Sequence, residues 1–325
     1  MSVTSADVAK AAGVSRATVS YVLNDAPGRT LSPETRATVL RVAKELGYRP
    51  NVLATSLKRG RSNTVLLPLQ GVAMNHVLQS LFNACTAALS PRGYSLVLEL
   101  SAQGDPVAQA EAWAGLAPAA VLDLVIHHDD EALTHLRARG VPVLSSAFSG
   151  ETEWESSGDV FARQQRLLQV SYLAEQQHPT ILFVLPRELP VDPRTETRLL
   201  SEMQAQARSS GAQLEIVRLE LDEVSAAVSA WPGLPSAVAA HNDTYAIALM
   251  TALHARGARV PQDVAVIGGD DEPLGRSVTP SLTTVAGDFQ AFATAVADAV
   301  EAVLDGRTPE PLPAPDLRLI RRGSA

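Results

Sequence analysis

A single cysteine, Cys85, occurs among 325 residues, which rules out an internal disulfide and fits a reducing compartment. Long apolar runs are missing too: ILFVL at 181–185 is far too short to span a bilayer. MSVTSADVAK has no basic stretch followed by an apolar one, so no secretory signal is expected and the reading places the protein in the cytoplasm. Aromatic residues make up only 4%. Lysine is absent after Lys58; all three lysines lie in the first 62 residues.

That asymmetry extends to the whole charge distribution. Residues 1–62 carry ten Lys+Arg against four Asp+Glu, a balance of +6; the remaining 263 residues balance at −14, giving −8 overall. A basic head on an acidic body suits a head that meets a polyanion while the body is repelled by it. The length allows two or three globular units.

In the head, Thr4 followed by Asp7 reads as a capped helix start, with helix one at Ser5–Ala12 burying Val8, Ala9 and Ala12. Gly13 permits a tight left-handed turn. Ser15 caps a second helix, Arg16–Leu23, with Val19, Val22 and Leu23 inward. Ser32-Pro33-Glu34 opens a third, which closes at Leu46-Gly47. Two short helices around a glycine turn form a helix-turn-helix. The same periodicity suits a plain three-helix core, but the outward face of helix two presents Arg16, Ala17, Thr18, Ser20 and Tyr21. A guanidinium, a methyl, hydroxyls and a phenol suit base edges and phosphates in a major groove. Pro50 then ends the head, and Asn51 can cap a short helix, Val52–Leu57, that buries little and is marginal alone.

From Val65 the chain alternates apolar runs (TVLLPL, YSLVLEL, AVLDLVI, VPVLSS) with helical stretches, and it repeats the rhythm with TILFVL, LEIVRLEL, SAVAA and VAVIGG. This predicts two doubly wound α/β lobes of parallel sheet, with ligands beyond the strand C-termini and a cleft between the lobes.

VTSADVAKAAGVSRATVSYVLN…LSPETRATVLRVAKELGYRPNVLATSLKRGRSNTV resembles the DNA-binding head and hinge of the LacI/GalR family of bacterial transcription regulators, over residues 3–65. SAVAAHNDTYAIALMTALHARGARVPQDVAVIGGDDEP…TPSLTTV and LRLIRRGSA resemble its effector domain, whose fold is similar to periplasmic sugar-binding proteins with three crossovers between lobes. The resemblance implies a helix-turn-helix domain at 1–49, a hinge at 50–62 and an effector-binding and dimerisation domain at 63–325. The N-lobe would be about 63–157 plus 286–312, and the C-lobe about 158–285 plus 313–325.

It further implies that Arg16, Ala17 and Tyr21 face bases, with Thr4, Ser15, Thr18, Ser20, Asn24, Arg29 and Asn51 completing the DNA-contacting set. Leu57, with Ala54 beside it, would wedge into the central base step of the minor groove. In the pocket, Arg198 would grip effector oxygens, and Asn242 and Asp270 would bond hydroxyls; Gln70, His76 and Ser145 complete the expected lining. Turn and capping chemistry is the alternative for Asn242 and Asp270. The chain departs from the family pattern in QGVAMNHVLQS, at Ser145-Ser146 where aspartate is common, in QQHP, and at Gly269 where an aromatic is common. With so few aromatics, ring stacking of a sugar is expected to be poorly provided for, and another small polar effector, or none, stands beside a sugar. His76 and His241 flanking the cleft would make binding pH-sensitive.

The expectation is therefore a homodimeric, effector-modulated, sequence-specific regulator, a repressor by preference, with operator DNA and a small effector as partners, no cofactor and no membrane. The alternative is a constitutive DNA-binding dimer with a ligand-free body. HHDDE at 127–131 suggests a metal, but no other ligands at fixed spacing accompany it, and GDDE at 269–272 suggests carboxylate catalysis, but the resemblance places it in the effector pocket; neither metal site nor enzyme is expected. A solute receptor would need a signal and no basic head. Cys85 is expected in a core or dimer face, and the lack of a C-terminal heptad tail argues against a coiled-coil tetramer.

Overall fold

The computed structural model describes residues 3–23, 31–48, 62–69, 74–100, 104–125, 130–145, 156–189 and 193–325, which form two compact units, Met1–Ser62 and Asn63–Ala325. In the first, α1 (Ser5–Ala12), α2 (Arg16–Leu23) and α3 (Pro33–Glu45) enclose Val8, Ala9, Val19, Val22, Val39, Val42 and Ala43. The Thr4 N–H donates to Asp7 Oδ2 at 2.8 Å while Thr4 Oγ1 accepts from the Asp7 N–H, the reciprocal cap expected at that spacing. Gly13 takes φ 66° to turn the chain between α1 and α2. Ser15 and Ser32 cap the next two helices, accepting from the Thr18 and Thr35 N–H groups.

The second unit holds two four-stranded parallel sheets. The first is ordered β2-β1-β3-β4, from β1 (Thr64–Pro68), β2 (Ser95–Glu99), β3 (Ala120–Asp123) and β4 (Val143–Ser145); its crossovers are α4 (His76–Leu89), α5 (Pro106–Gly115) and α6 (Asp130–Ala138). The second is ordered β6-β5-β7-β8, from β5 (Thr180–Leu185), β6 (Gln213–Arg218), β7 (Ala237–Ala240) and β8 (Ala265–Ile267), with α8 (Pro193–Ser209), α9 (Val224–Ala230) and α10 (Asp243–Ala255) between them. In both sheets the strand alternation divides the core into two layers. Val65 and Leu67 pack on the α4 side while Leu66 joins Trp113 and Leu136 behind. Leu182 and Val184 face Leu249 and Leu253 of α10, while Ile181, Phe183 and Leu185 face Leu199 and Met203 of α8.

Three segments connect the halves. α7 (Ser157–Glu175) follows β4, with Phe161 in the first sheet's core and Val170 and Leu173 in the second's. β9 (Thr284–Asp288) leads to α11 (Gln290–Leu304), whose Phe292, Val296 and Val300 return to the core under α4. β10 (Asp316–Ile320) then pairs antiparallel with β9. Cys85 is buried in the α4–α11 core, and burial pushes its thiol up to about 12, so it is packed and unreactive. No described helix is long and apolar enough to cross a membrane.

Candidate functional site

The head presents one polar helical face. Ser15, Arg16 and Ala17 are exposed and Thr18, Ser20 and Tyr21 half-buried, while Val19 and Val22 turn inward. Thr4 is exposed at the start of α1 but its hydroxyl is engaged with Asp7 at 2.7 Å. Asn24, Arg29, Asn51, Ala54 and Leu57 lie outside the described residues, and so does Gln70.

The body holds a cavity of about 760 Å³. It opens at the C-terminal ends of β3, β7 and β8, where a doubly wound sheet exposes its strand-to-helix loops. α7 forms its floor. Gly158, in the first turn, donates to Leu124 O at 3.1 Å, and a Cβ there would lie 2.2 Å from Val125 O, so the chain after β3 seats directly on the helix. Farther along, Gln165, Arg166 and Gln169 share one face of α7 and tie it to the second sheet. Gln165 Nε2 donates to Asp270 Oδ1 at 3.0 Å, and Gln169 Nε2 to the carbonyls of Ala240 and Gly268 at 2.9 and 2.7 Å. Arg166 Nη2 lies 3.1 Å from His241 Nδ1. Because guanidinium can only donate, His241 Nδ1 accepts and the ring proton sits on Nε2.

The loop carrying Asp270 is clamped from beneath. Asp243 is fully buried; its Oδ1 accepts from Thr284 Oγ1 at 2.6 Å, its Oδ2 from the Glu272 N–H at 2.7 Å, and its own N–H donates to Gly269 O at 2.8 Å. Gly268 admits no side chain, since a Cβ would fall 2.1 Å from Asp243 Oδ1. Held this way, Asp270 and Asp271 adopt φ of 101° and 52°, costly for residues with a Cβ and tolerated where the surroundings determine them. A Cβ at Gly269 would lie 3.0 Å from Gln165 Nε2, so Gln165 fills the space beside the position where the family pattern has an aromatic and this chain has glycine.

Charge inside the cavity is set mainly by burial. Burial lowers Arg166 to about 10 against the opposing pull of Asp270 and Asp159, leaving it cationic at neutral pH. Burial, then the neighbouring Arg166 charge, takes His241 down to about 3, so it stays neutral and the expected pH response at His241 does not arise. The response moves to carboxyls: burial raises Asp270 to about 6 despite the Gln165 hydrogen bond, and raises Asp243 to about 7 despite its two donors. Both folded-state values exceed the ordinary 3.8, so the folded body binds more protons than the unfolded chain between 3.8 and those values. Their stabilising contribution is full below pH 3.8 and is lost as pH rises through 6 and 7. Urea midpoints are therefore expected to be higher at pH 5 than at pH 8, with Asp270→Asn reducing that difference; an unchanged pH profile in this variant would exclude Asp270 as a source.

Of the expected pocket residues, Asn242 and Asp270 line the cavity. Asn242 also caps α10, accepting from the Tyr245 N–H at 3.0 Å, so both readings of this residue hold at once. His76 is not in the lining, although its neighbours Asn75 and Val77 are. Ser145 ends the edge strand β4, paired in register with Asp123 at the end of β3, and is not among the lining residues; Arg137 Nη2 donates to its hydroxyl at 3.2 Å. Arg198 is likewise absent from the lining: Glu202, one turn along α8, accepts from its Nε at 2.7 Å. The arginine of the cavity is Arg166. The expected shortage of ring surface is corrected as well, because Phe161, Tyr245, Phe289 and Phe292 all line the cavity, with Phe161 and Phe289 5.3 Å apart. Among the described residues no group of His, Cys, Asp and Glu could hold a metal; His127, His128 and Asp129 of HHDDE lie outside them.

Residues 4–51 match the family described as bacterial regulatory proteins, lacI family, and residues 170–325 match a periplasmic binding protein-like domain. The ribose operon repressor of Escherichia coli strain K12 is 30% identical over 295 residues, covering 86% of each chain. The HTH-type transcriptional regulator reg1 of Streptomyces lividans is 32% identical over 327 residues, covering 94% of this chain and 91% of that protein. The lac repressor dimer bound to operator and the anti-inducer ONPF shares the fold, with a TM-score of 0.75 at 23% identity, covering 100% of this chain and 99% of that one. A CelR–cellobiose complex superposes with a TM-score of 0.63 at 27% identity, covering 99% and 100%. With a helix-turn-helix head, a two-sheet body around a polar-lined cavity and full-length relatives at this identity, the chain belongs to the LacI family of bacterial regulatory proteins and is a sequence-specific, DNA-binding transcriptional regulator.

Proposed function

We propose that the protein is a dimeric repressor whose operator affinity is set by a small hydroxyl-bearing effector in the body cavity. The observation that carries this reading is the set of nearly buried polar side chains around the cavity: Arg166 and Gln165 are each 4% exposed and Asp270 8%. They pair among themselves, Gln165 with Asp270 and Arg166 with His241, and leave Arg166 Nε buried without a partner, an arrangement that costs stability and that a purely structural core does not need. A body serving only dimerisation has no use for them, which weighs against a constitutive, ligand-free dimer.

The mechanism is a linkage. Effector bound between residues 63–157 with 286–312 on one side and 158–285 with 313–325 on the other stabilises one arrangement of the halves. That arrangement changes the spacing of the paired heads and the ordering of the 50–62 hinge, and so changes operator affinity. Two recognition helices then address a pseudo-palindrome with Arg16, Ala17 and Tyr21, and Leu57 enters the central step beside Ala54. The ribose operon repressor's name and the cellobiose bound to CelR support a carbohydrate-like effector.

Selection of binding sites from random DNA by the full-length protein tests the reading: a pseudo-palindrome with a flexible centre is expected, and sequence-blind, salt-sensitive binding would overturn specific readout. Tyr21→Phe on the selected operator is expected to relax preference at one position of each half-site. A uniform loss on every sequence would make Tyr21 a phosphate contact instead.

A further inference from the structure

One buried carboxyl sits where the chain changes sheet and is surrounded by its own sign. Asp243, in the first turn of α10, is fully buried and is not among the cavity-lining residues. Its oxygens accept from the Thr284 hydroxyl and the Glu272 N–H. Thr284 opens β9, the strand that leaves the second sheet for α11 and the core of the first, and Glu272 lies in the loop after β8. The side chain therefore fastens the start of one crossover between the halves to the N-terminus of α10. Thr283 and Thr284 are fully buried too, so the contact is closed to bulk water.

Both ionic groups that act on Asp243 are acidic, Asp270 and Glu272. The nearby cations are committed elsewhere. Arg276 and Arg322 pair with Asp271, while Arg166 of α7 and His76 of α4 act on Asp270, and His241 beside Arg166 is neutral. Burial and like charge together favour the neutral acid at such a site. The neutral acid also fits the geometry. A separation of 2.6 Å from Thr284 Oγ1 suits an O–H···O bond in either direction. A protonated Asp243 thus keeps that contact as donor, and its other oxygen still accepts from the Glu272 N–H. The head cannot mask such a response, because all seven histidines lie beyond residue 62 and no side chain of the head titrates between pH 6 and 8.

We propose that Asp243 is a proton-operated latch on the crossover into β9. Protonated, it fastens Thr284 and the Glu272 backbone. Ionised, it releases them, residues 268–288 open more often, and operator affinity falls because the halves of the body must be reordered when paired heads engage DNA. Burial, then Asp270 and Glu272, raises Asp243 from 3.8 to about 7. The folded value is the raised one, so the latch holds at low pH and is lost as pH rises through 7. If opening restores the ordinary value, it becomes roughly tenfold more frequent at pH 8 than at pH 6, and Asp270, raised to about 6, adds about twofold.

The test is amide hydrogen exchange of the full chain at pH 6 and pH 8, corrected for the intrinsic pH dependence of exchange. In wild type, opening of residues 268–272 and 284–288 is expected to rise tenfold or more; in Asp243→Asn, which cannot ionise, only the twofold due to Asp270 remains. Titration of a selected operator at the same pH values is expected to show at least a threefold loss at pH 8 in wild type and less than that in the variant. The infrared carbonyl band of a protonated carboxyl, present at pH 6.5 and lost as pH rises through 7, checks the titration without any substitution. Opening that ignores pH, or that changes equally in the two proteins, overturns the latch, as does absence of that band or an operator affinity equal at both pH values. The latch needs no effector, so a search in which no small molecule binds would refute the effector reading above and leave the latch standing.

Discussion

Asp243→Ala is expected to destabilise the body more than any exposed substitution and to abolish its response to effector. The carboxylate is fully buried and receives the Thr284 hydroxyl and the Glu272 N–H. Removing it leaves two buried donors without partners, at about 1–3 kcal/mol each, so a loss on the order of 2–6 kcal/mol follows. It also frees the turn that holds Asp270 at φ 101°, so the loss reaches the cavity although Asp243 is not among its lining residues. All three tryptophans (Trp113, Trp154 and Trp231) lie in the body, so urea unfolding followed by Trp fluorescence reports this unit rather than the head. Asp243→Asn keeps one acceptor oxygen and is expected to fall between wild type and Ala. A wild-type urea midpoint for Asp243→Ala would show that the clamp contributes nothing and that the Asp270 turn is held by its other bonds, such as Asp270 N–H to Val285 O at 2.8 Å.

Arg16→Ala is the second large effect, this time on DNA. Arg16 is exposed at the start of α2 and packs in no core, so the head keeps its fold. A bidentate arginine–guanine pair is worth about 1–3 kcal/mol, and a dimer makes two, so operator affinity is expected to fall by about 2–6 kcal/mol, roughly 30-fold or more. Binding to random DNA should change far less, because loss of one positive charge per subunit acts only through phosphate neutralisation. Titration of selected operator and scrambled duplex at one salt concentration separates the two. Equal losses on both would assign Arg16 to the backbone and move base reading to Ala17 and Tyr21.

How much of this was legible beforehand depends on the range of the interactions involved. The head's helix limits, Ser5–Ala12 and Arg16–Leu23, and its caps follow from contacts three or four residues apart, and such contacts are written in local sequence. The parallel sheets were legible for a related reason: buried strands require continuous apolar runs such as ILFVL. The cavity residues behaved differently. Asn242 and Asp270 were found through a resemblance, whereas Gln165 and Arg166 carry no signal in QQRLLQV, where three polar residues on one helical face look like a solvated surface. Their partners lie 105 and 75 residues away in sequence. Arg198, expected there by resemblance, lies outside the lining residues, and its Nε donates to Glu202 Oε1 at 2.7 Å.

By itself, then, the sequence determined the three-helix head, the alternation of strands and helices and the family, because periodicity, caps and charge segregation are local or additive properties. Only the tertiary structure decided that Arg166 rather than Arg198 supplies the cavity's positive charge, that His241 stays neutral while Asp270 is raised, and that a chain poor in aromatics gathers four of them around one cavity. Each of those outcomes depends on burial and on groups brought together from distant parts of the chain, and neither is defined until the sheets have packed.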